Sequence, residues 1–219
     1  MFVGHIALAY AAKRVRPDAS LGWCYAAACA LDLLWPIFLL LGLEQVDLAT
    51  PGSRFTPVTF TAYPWSHSLV MSLVWGIALA GIARWRGVSA GTATLLGFLV
   101  PSHWVLDFIS HAPDMPLWPG TSPKLGLALW NSVPATYFVE GAMWVAALAL
   151  YLGARRPTGW KGWVAFASFV LVCTALWAPG PAAPPPPSVT ALGVVALIGG
   201  WISIPWAAWG DRNTRAVSA

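Results

Sequence analysis

Charge is what this sequence lacks most. Of its 219 residues only 9% are Asp, Glu, Lys or Arg, while 58% are hydrophobic. The mean hydropathy is +0.67. A soluble globular domain carries roughly a quarter charged residues, so an ordinary water-soluble core is excluded. A bilayer accepts apolar surface on every side and explains the shortage. Cysteine is scarce too: Cys24, Cys29 and Cys173 all lie in apolar runs, with no disulfide framework and no CxxC knuckle. No secretory signal is evident, because in MFVGHIALAYAAKRVR the positive charges follow the apolar stretch. Nothing resembles a nucleic-acid motif, despite a formal net charge of +4. The basic residues stand instead in short clusters between apolar runs, as topogenic signals do.

What is present is a series of apolar segments. A full span needs about 20 apolar residues. Six segments approach that length: 22–43, 68–83, 88–109, 135–152, 163–178 and 189–209. The expected fold is therefore all-α, a single polytopic membrane domain over 1–219. It has about six transmembrane helices, preceded by a short, partly inserted helix at Met1–Ala12. Lys13, Arg14, Arg16, Arg84, Arg86, Arg155, Arg156, Lys161, Arg212 and Arg215 all fall on one side of a six-span topology. Only Arg54 and Lys124 fall on the other. By the positive-inside rule both termini are expected in the cytoplasm. Trp65, Trp118, Trp160, Trp201 and Trp209 stand near expected span ends, where indole rings anchor at the interface.

Ionisable side chains inside a span are expensive and mark function by default. This chain places Asp32 in the first span, His103 and Asp107 in the third and Glu140 in the fourth. His67 and His111 stand at outer span ends, and His5 in the short first helix. In SHWVLDFISHAPD (102–114), His103, Asp107 and His111 recur every fourth residue and form one helical stripe. Counting about 1.5 Å per residue from the cytoplasmic charges, Asp32, His67, His103, Asp107 and Glu140 fall at roughly 18–32 Å. They can therefore meet in the outer half. Imidazole with carboxylate and no thiolate suits zinc, iron or manganese. Ser66 and Ser68, flanking His67, read as helix caps.

These residues resemble a bacterial family of membrane-bound metal-dependent hydrolases that includes the YdjM-like proteins. The resemblance rests on Gly4-His5, the Asp32 of ALDLLWP, Ser66-His67-Ser68 and the HxxxD of His103 and Asp107. It covers about residues 1–115, the motif-bearing part; 116–219 carries no matching motif. The ligand order is also similar to that of zinc-dependent phospholipase C and P1 nuclease. That likeness implies one site of Asp32, His67, His103 and Asp107, with Asp107 bridging to a second ion at His5. Two departures stand out: TAYPWSHS lacks the family's His-Arg pair, and only His111, Asp114 and Glu140 remain as third-metal candidates.

The expected function is a metal-dependent hydrolase with one or two divalent ions, zinc first, in the bacterial inner membrane. Its substrate would be a phosphoester lipid or envelope component at the outer side. Glu140 or Asp114 would serve as general base, and Arg54 and Lys124 would hold an anionic head group. The alternative is an ion- or proton-coupled transporter using the same His/Asp/Glu cluster. Bis-His haem ligation by His67 and His103 is a third reading, which leaves Asp32 and Asp107 as unpaired acids.

Overall fold

In hydrocarbon every backbone N–H and C=O must be satisfied within the chain, and a long apolar run does this as a helix. The computed structural model describes residues 1–217 and is built almost wholly in that way. The chain runs through α1 (Phe2–Val15), α2 (Leu21–Ala28), α3 (Ala30–Leu40), α4 (Pro64–His67), α5 (Leu69–Trp85) and α6 (Ala90–Ser110). It continues with α7 (Val133–Ala154), α8 (Gly159–Trp177) and α9 (Val189–Arg212). Three two-stranded antiparallel ladders tie the ends: β1 (Gln45–Asp47) with β2 (Thr59–Ala62), β3 (Met115–Pro116) with β4 (Lys124–Leu125), and β5 (Arg155–Pro157) with β6 (Thr214–Ala216).

The chain has the helices of a membrane protein, but the expected six spans need correction. Four helices, α6 to α9, are long and apolar enough to cross, and a fifth span exists if α2 and α3 count as one. The first expected span is broken after Ala28, where α2 and α3 meet at 57°. Cys29 carries the non-helical ψ of 14° at that break. The second expected span, α5, has only 17 residues, because Ser68 turns extended and caps it. Ser68 Oγ accepts from Met71 N at 3.3 Å, as expected of that serine.

The short first helix is no peripheral feature. Val3, Gly4, His5, Ile6, Ala7, Ala9, Tyr10, Ala12 and Lys13 are buried, and α1 packs against α7, α2 and α6 in the middle of the bundle. Tyr10 meets Tyr151 edge-on at 4.9 Å and Trp144 at 5.6 Å. At the end of α1, Lys13 Nζ reaches Asp211 Oδ2 at 3.0 Å and the carbonyl of Pro17 at 2.9 Å. Tyr151 OH and Leu21 N donate to the same Asp211 carboxylate.

This end of the bundle also holds Arg16, which donates to Ser89 Oγ at 3.0 Å, and the β5–β6 ladder with Arg155, Arg156 and Arg215. The clustered basic residues therefore share one end. Lys124 lies at the opposite end, donating to Thr61 O at 3.2 Å.

Pro101 leaves α6 unbroken. It removes the N–H that would bond Gly97 O, and α5 closes on that carbonyl. A Cβ at Gly76 would meet Gly97 O at 2.5 Å, so only glycine permits the approach. Trp65, Trp118, Trp160 and Trp209 are all exposed. Trp201 is not at a span end: it sits within α9 and donates to Leu33 O at 3.1 Å.

Candidate metal centre

The apolar helices bring four polar side chains to one point. Asp32 projects from the first turn of α3, just past the break. His67 ends α4, and His103 and Asp107 stand one turn apart on α6. His103 Nε2 lies 3.1 Å from Asp107 Oδ2 and 3.7 Å from Asp32 Oδ1. His67 Nε2 lies 3.6 Å from Asp107 Oδ2 and 3.5 Å from Asp32 Oδ1. Four ligands about 2.0–2.1 Å from a tetrahedral zinc stand about 3.3–3.4 Å apart. The four measured edges bracket that length.

The imidazoles are fixed from behind. His103 Nδ1 donates to the carbonyl of Ala28 at 2.8 Å, in the break between α2 and α3. This leaves the Nε2 lone pair facing two carboxylates, and His103 Nε2 is buried without a hydrogen-bond partner. His67 Nδ1 is 2.7 Å from Ser66 Oγ, which donates onward to Glu44 Oε2 at 2.7 Å. Glu44 Oε1 also accepts from the backbone N–H groups of Trp65 and Ser66. Metal-binding histidines characteristically have such an acceptor on the far nitrogen. Ser66, expected to cap a helix, is instead the link between His67 and a buried glutamate.

Asp107 faces two ways. Its Oδ2 faces the Nε2 atoms of His67 and His103. Its Oδ1 lies 2.9 Å from His5 Nε2 and 3.9 Å from His111 Nε2, and against the Met1 nitrogen. His5 stacks on His103 with ring centroids 3.4 Å apart. His5, His103 and Asp107 thus make a second three-residue group able to hold an ion, beside Asp32, His67 and His103. His5 Nδ1 has no partner behind it, so this group lacks the support of the first. His111 follows the last turn of α6, yet its N–H still bonds Asp107 O at 2.8 Å, which keeps it on the stripe.

The remaining expected residues stand apart from this core. Asp114 Oδ1 takes hydrogen bonds from Tyr63 OH at 2.5 Å and His111 Nδ1 at 3.1 Å. It thereby orients His111. Glu140 is fully buried on α7, where Oε1 accepts from Trp130 Nε1 at 3.1 Å and Oε2 has no partner. The Trp130 ring lies 4.5 Å from His111 and stands between that histidine and Glu140. Arg54 and Lys124 are exposed on the loops at this end, and neither contacts a cluster residue among the contacts described. The loop of Lys124 crosses the end of α6 closely: a Cβ at Gly126 would meet Ala112 O at 2.0 Å.

Sequence reasoning missed Glu44, Tyr63 and the Ala28 carbonyl. Glu44 acts across 22 residues of chain, and the carbonyl becomes available only because the span breaks. Burial raises the Glu44 carboxyl above its ordinary pKa of 4.5, against the hydrogen bonds from Ser66 and Trp65.

No protein-family model, curated protein or solved structure matches this chain.

Proposed function

We propose that this protein is a membrane-embedded metal-dependent hydrolase acting on a phosphoester lipid or envelope substrate. One observation carries the reading: Asp32 Oδ1, His67 Nε2, His103 Nε2 and Asp107 Oδ2 close a ring of contacts of 3.1–3.7 Å, spacings that ligands of one ion adopt. Two carboxylates and two neutral imidazoles also carry the −2 charge that a divalent cation cancels. Apart from the Met1 ammonium against Asp107 Oδ1, the two carboxylates face nitrogen lone pairs with no cation between them, which is costly at buried positions. Imidazole and carboxylate donors favour zinc, iron or manganese. A resident ion supplies Lewis-acid polarisation of a phosphoryl oxygen and acidifies a water molecule.

The chain's own residues supply position. Ala28 O and the Ser66–Glu44 pair hold two imidazoles in one tautomer, and Tyr63 and Asp114 hold a third. Asp107 presents its second oxygen to His5 and His111 beside the Met1 nitrogen, and these residues would hold a second ion were one bound. Asp114 is a positioning residue in this account. The unpartnered Oε2 of Glu140 remains available as a proton acceptor behind Trp130. Arg54 and Lys124 serve as head-group contacts if the outer loops close over substrate.

A proton or ion relay would use the same side chains, but it needs imidazoles free to exchange protons on both nitrogens. Here the far nitrogens of His67 and His103 are engaged. This supports the hydrolase over the transporter, and membership of the YdjM-like family is proposed with it. The clustered basic end, which carries the C-terminal β5–β6 ladder, supports a cytoplasmic C-terminus in a bacterial inner membrane with the site towards the outer leaflet. The cytoplasmic N-terminus expected from the sequence is corrected, because Met1 lies at the site, its nitrogen against Asp107. The test is hydrolysis of bis(p-nitrophenyl) phosphate and a short-chain phosphatidylcholine by detergent-purified protein, with and without added zinc or manganese. Turnover restored by metal after chelation supports the reading; metal-insensitive or absent turnover on both speaks against it.

A further inference from the structure

The metal-centre residues are sealed on every side but one. His5, His67, His103, Asp107 and His111 are between 0% and 4% exposed, whereas the Asp32 side chain is 47% exposed. Asp32 faces a cavity of about 440 Å³ between α3, α8 and α9, with Phe2 and Ile6 of α1 on its wall. That volume is within the roughly 300–1,000 Å³ of small-molecule sites. Leu33, Val172, Leu176, Val195 and Ile202 also line it, and the last four are exposed on the surface of the bundle. Both α8 and α9 are long and apolar enough to cross a membrane, so the mouth of this cavity opens on lipid chains instead of water.

We propose that the groove is a lateral portal that receives the hydrocarbon tail of a membrane amphiphile while its phosphate-bearing head group lies at Asp32. The inference rests on the metal-centre reading and adds to it the route and the substrate class: a lipid phosphoester entering from within the bilayer. Moving a tail from bilayer to apolar groove gains little, because both environments are hydrocarbon. The groove therefore supplies access and orientation, and the head group supplies the discrimination. Occupancy should then be displaced by an amphiphile with a phosphate and not by the same chain ending in an alcohol.

Gly199 allows a direct test. It lines the cavity, and a Cβ there would meet nothing within 4 Å, so a side chain can be added at the groove wall without a clash at its first carbon. Gly200 is unsuitable, since its Cβ would press on Leu33 Cδ2 at 3.0 Å. Gly81 on α5 is the control, equally open and lining neither this cavity nor the apolar one beside α5. The full chain in lipid nanodiscs is irradiated with a phosphatidic acid bearing a diazirine on one acyl chain, and the labelled peptides are mapped.

Preferential labelling of the α8 and α9 groove residues, lost with excess hexadecyl phosphate but not hexadecanol, is expected. Gly199→Phe should lose that labelling and Gly81→Phe keep it. Equal labelling of all lipid-facing helices, untouched by hexadecyl phosphate and by Gly199→Phe, overturns the portal. Metal content measured on the same samples separates the two ideas. A metal-loaded protein with an unlabelled groove removes the portal alone. Groove labelling that hexadecyl phosphate does not compete, in protein that takes up no metal, removes the hydrolase and with it the phosphate selection, because Asp32 is the only charged residue among the described residues lining the cavity.

Discussion

Asp107→Asn should abolish the protein's thermal response to metal. In the wild type without an ion, the Asp107 carboxylate is 3% exposed and lies within 3.6 Å of three imidazole nitrogens. The Met1 ammonium against Oδ1 compensates part of its charge, while Oδ2 faces neutral imidazoles that cannot compensate the rest, and a buried charge left partly uncompensated is costly. A divalent ion present at about 1,000 times its Kd stabilises the folded state by about 4 kcal/mol. For a chain of this size each kcal/mol moves Tm by about 2–4 °C, so saturating zinc should raise Tm by about 8–16 °C. Asparagine keeps the shape of the side chain and removes its charge. The variant sheds a buried charge but leaves the Met1 ammonium without its carboxylate, so its apo form should melt near the apo wild type, and it should gain less than about 2 °C from zinc. Intrinsic-fluorescence melting in detergent, with chelator and with zinc, reads both quantities. An Asp107→Asn protein that melts well below the apo wild type and still gains the full zinc shift would refute the ligand role.

Three further expectations follow from the surroundings of the site. Ser66→Ala strands His67 Nδ1 and a Glu44 oxygen, so metal affinity should fall about 10–100-fold by competition titration; a loss of helix stability alone, with affinity intact, would return Ser66 to a capping role. Because burial raises the Glu44 pKa above 4.5, its contribution to stability is present below pH 4.5 and is lost as pH rises through the folded-state value. Glu44→Gln should therefore flatten the Tm profile just above pH 4.5, and an unchanged slope there counts against the buried position of Glu44. At the basic end, Lys13→Met leaves Asp211 buried without its cation and should cost about 3–5 kcal/mol, with metal content per folded chain unchanged; metal loss in the folded variant would show the two ends to be coupled.

Much of the bundle was legible because an apolar run in a bilayer has few alternatives. The boundaries of α6 to α9 lie within a few residues of the expected segments. The span count was not legible, because the break at Cys29 is a tertiary event that hydropathy does not register, whereas the short second segment starting at the Ser68 cap was. The role of α1 was hidden for a related reason. Fourteen residues are too short to cross a membrane, and length says nothing about a helix buried in the centre of a bundle.

At the site, His103 and Asp107 were plain from their four-residue spacing and unusual depth. Asp32 and His67 were plain because polar groups in spans need partners. His5 fitted the depth count poorly, yet the central position of α1 puts it 2.9 Å from Asp107. The supporting residues left no local pattern: Glu44 reads as a loop acid and Ser66 as a cap until the fold brings them behind His67. Asp114 and Glu140, expected at the reacting centre, stand behind His111 and Trp130 instead.

Metal stoichiometry with ligand geometry tests the central claim most directly. Protein purified in detergent, saturated with zinc and freed of loose metal, should hold one to two ions per chain by elemental analysis. X-ray absorption should give about four nitrogen or oxygen ligands at about 2.0–2.1 Å and no sulfur. Less than about 0.1 ion per chain, with no zinc, manganese or iron binding and no shift in Tm, would contradict the metal centre.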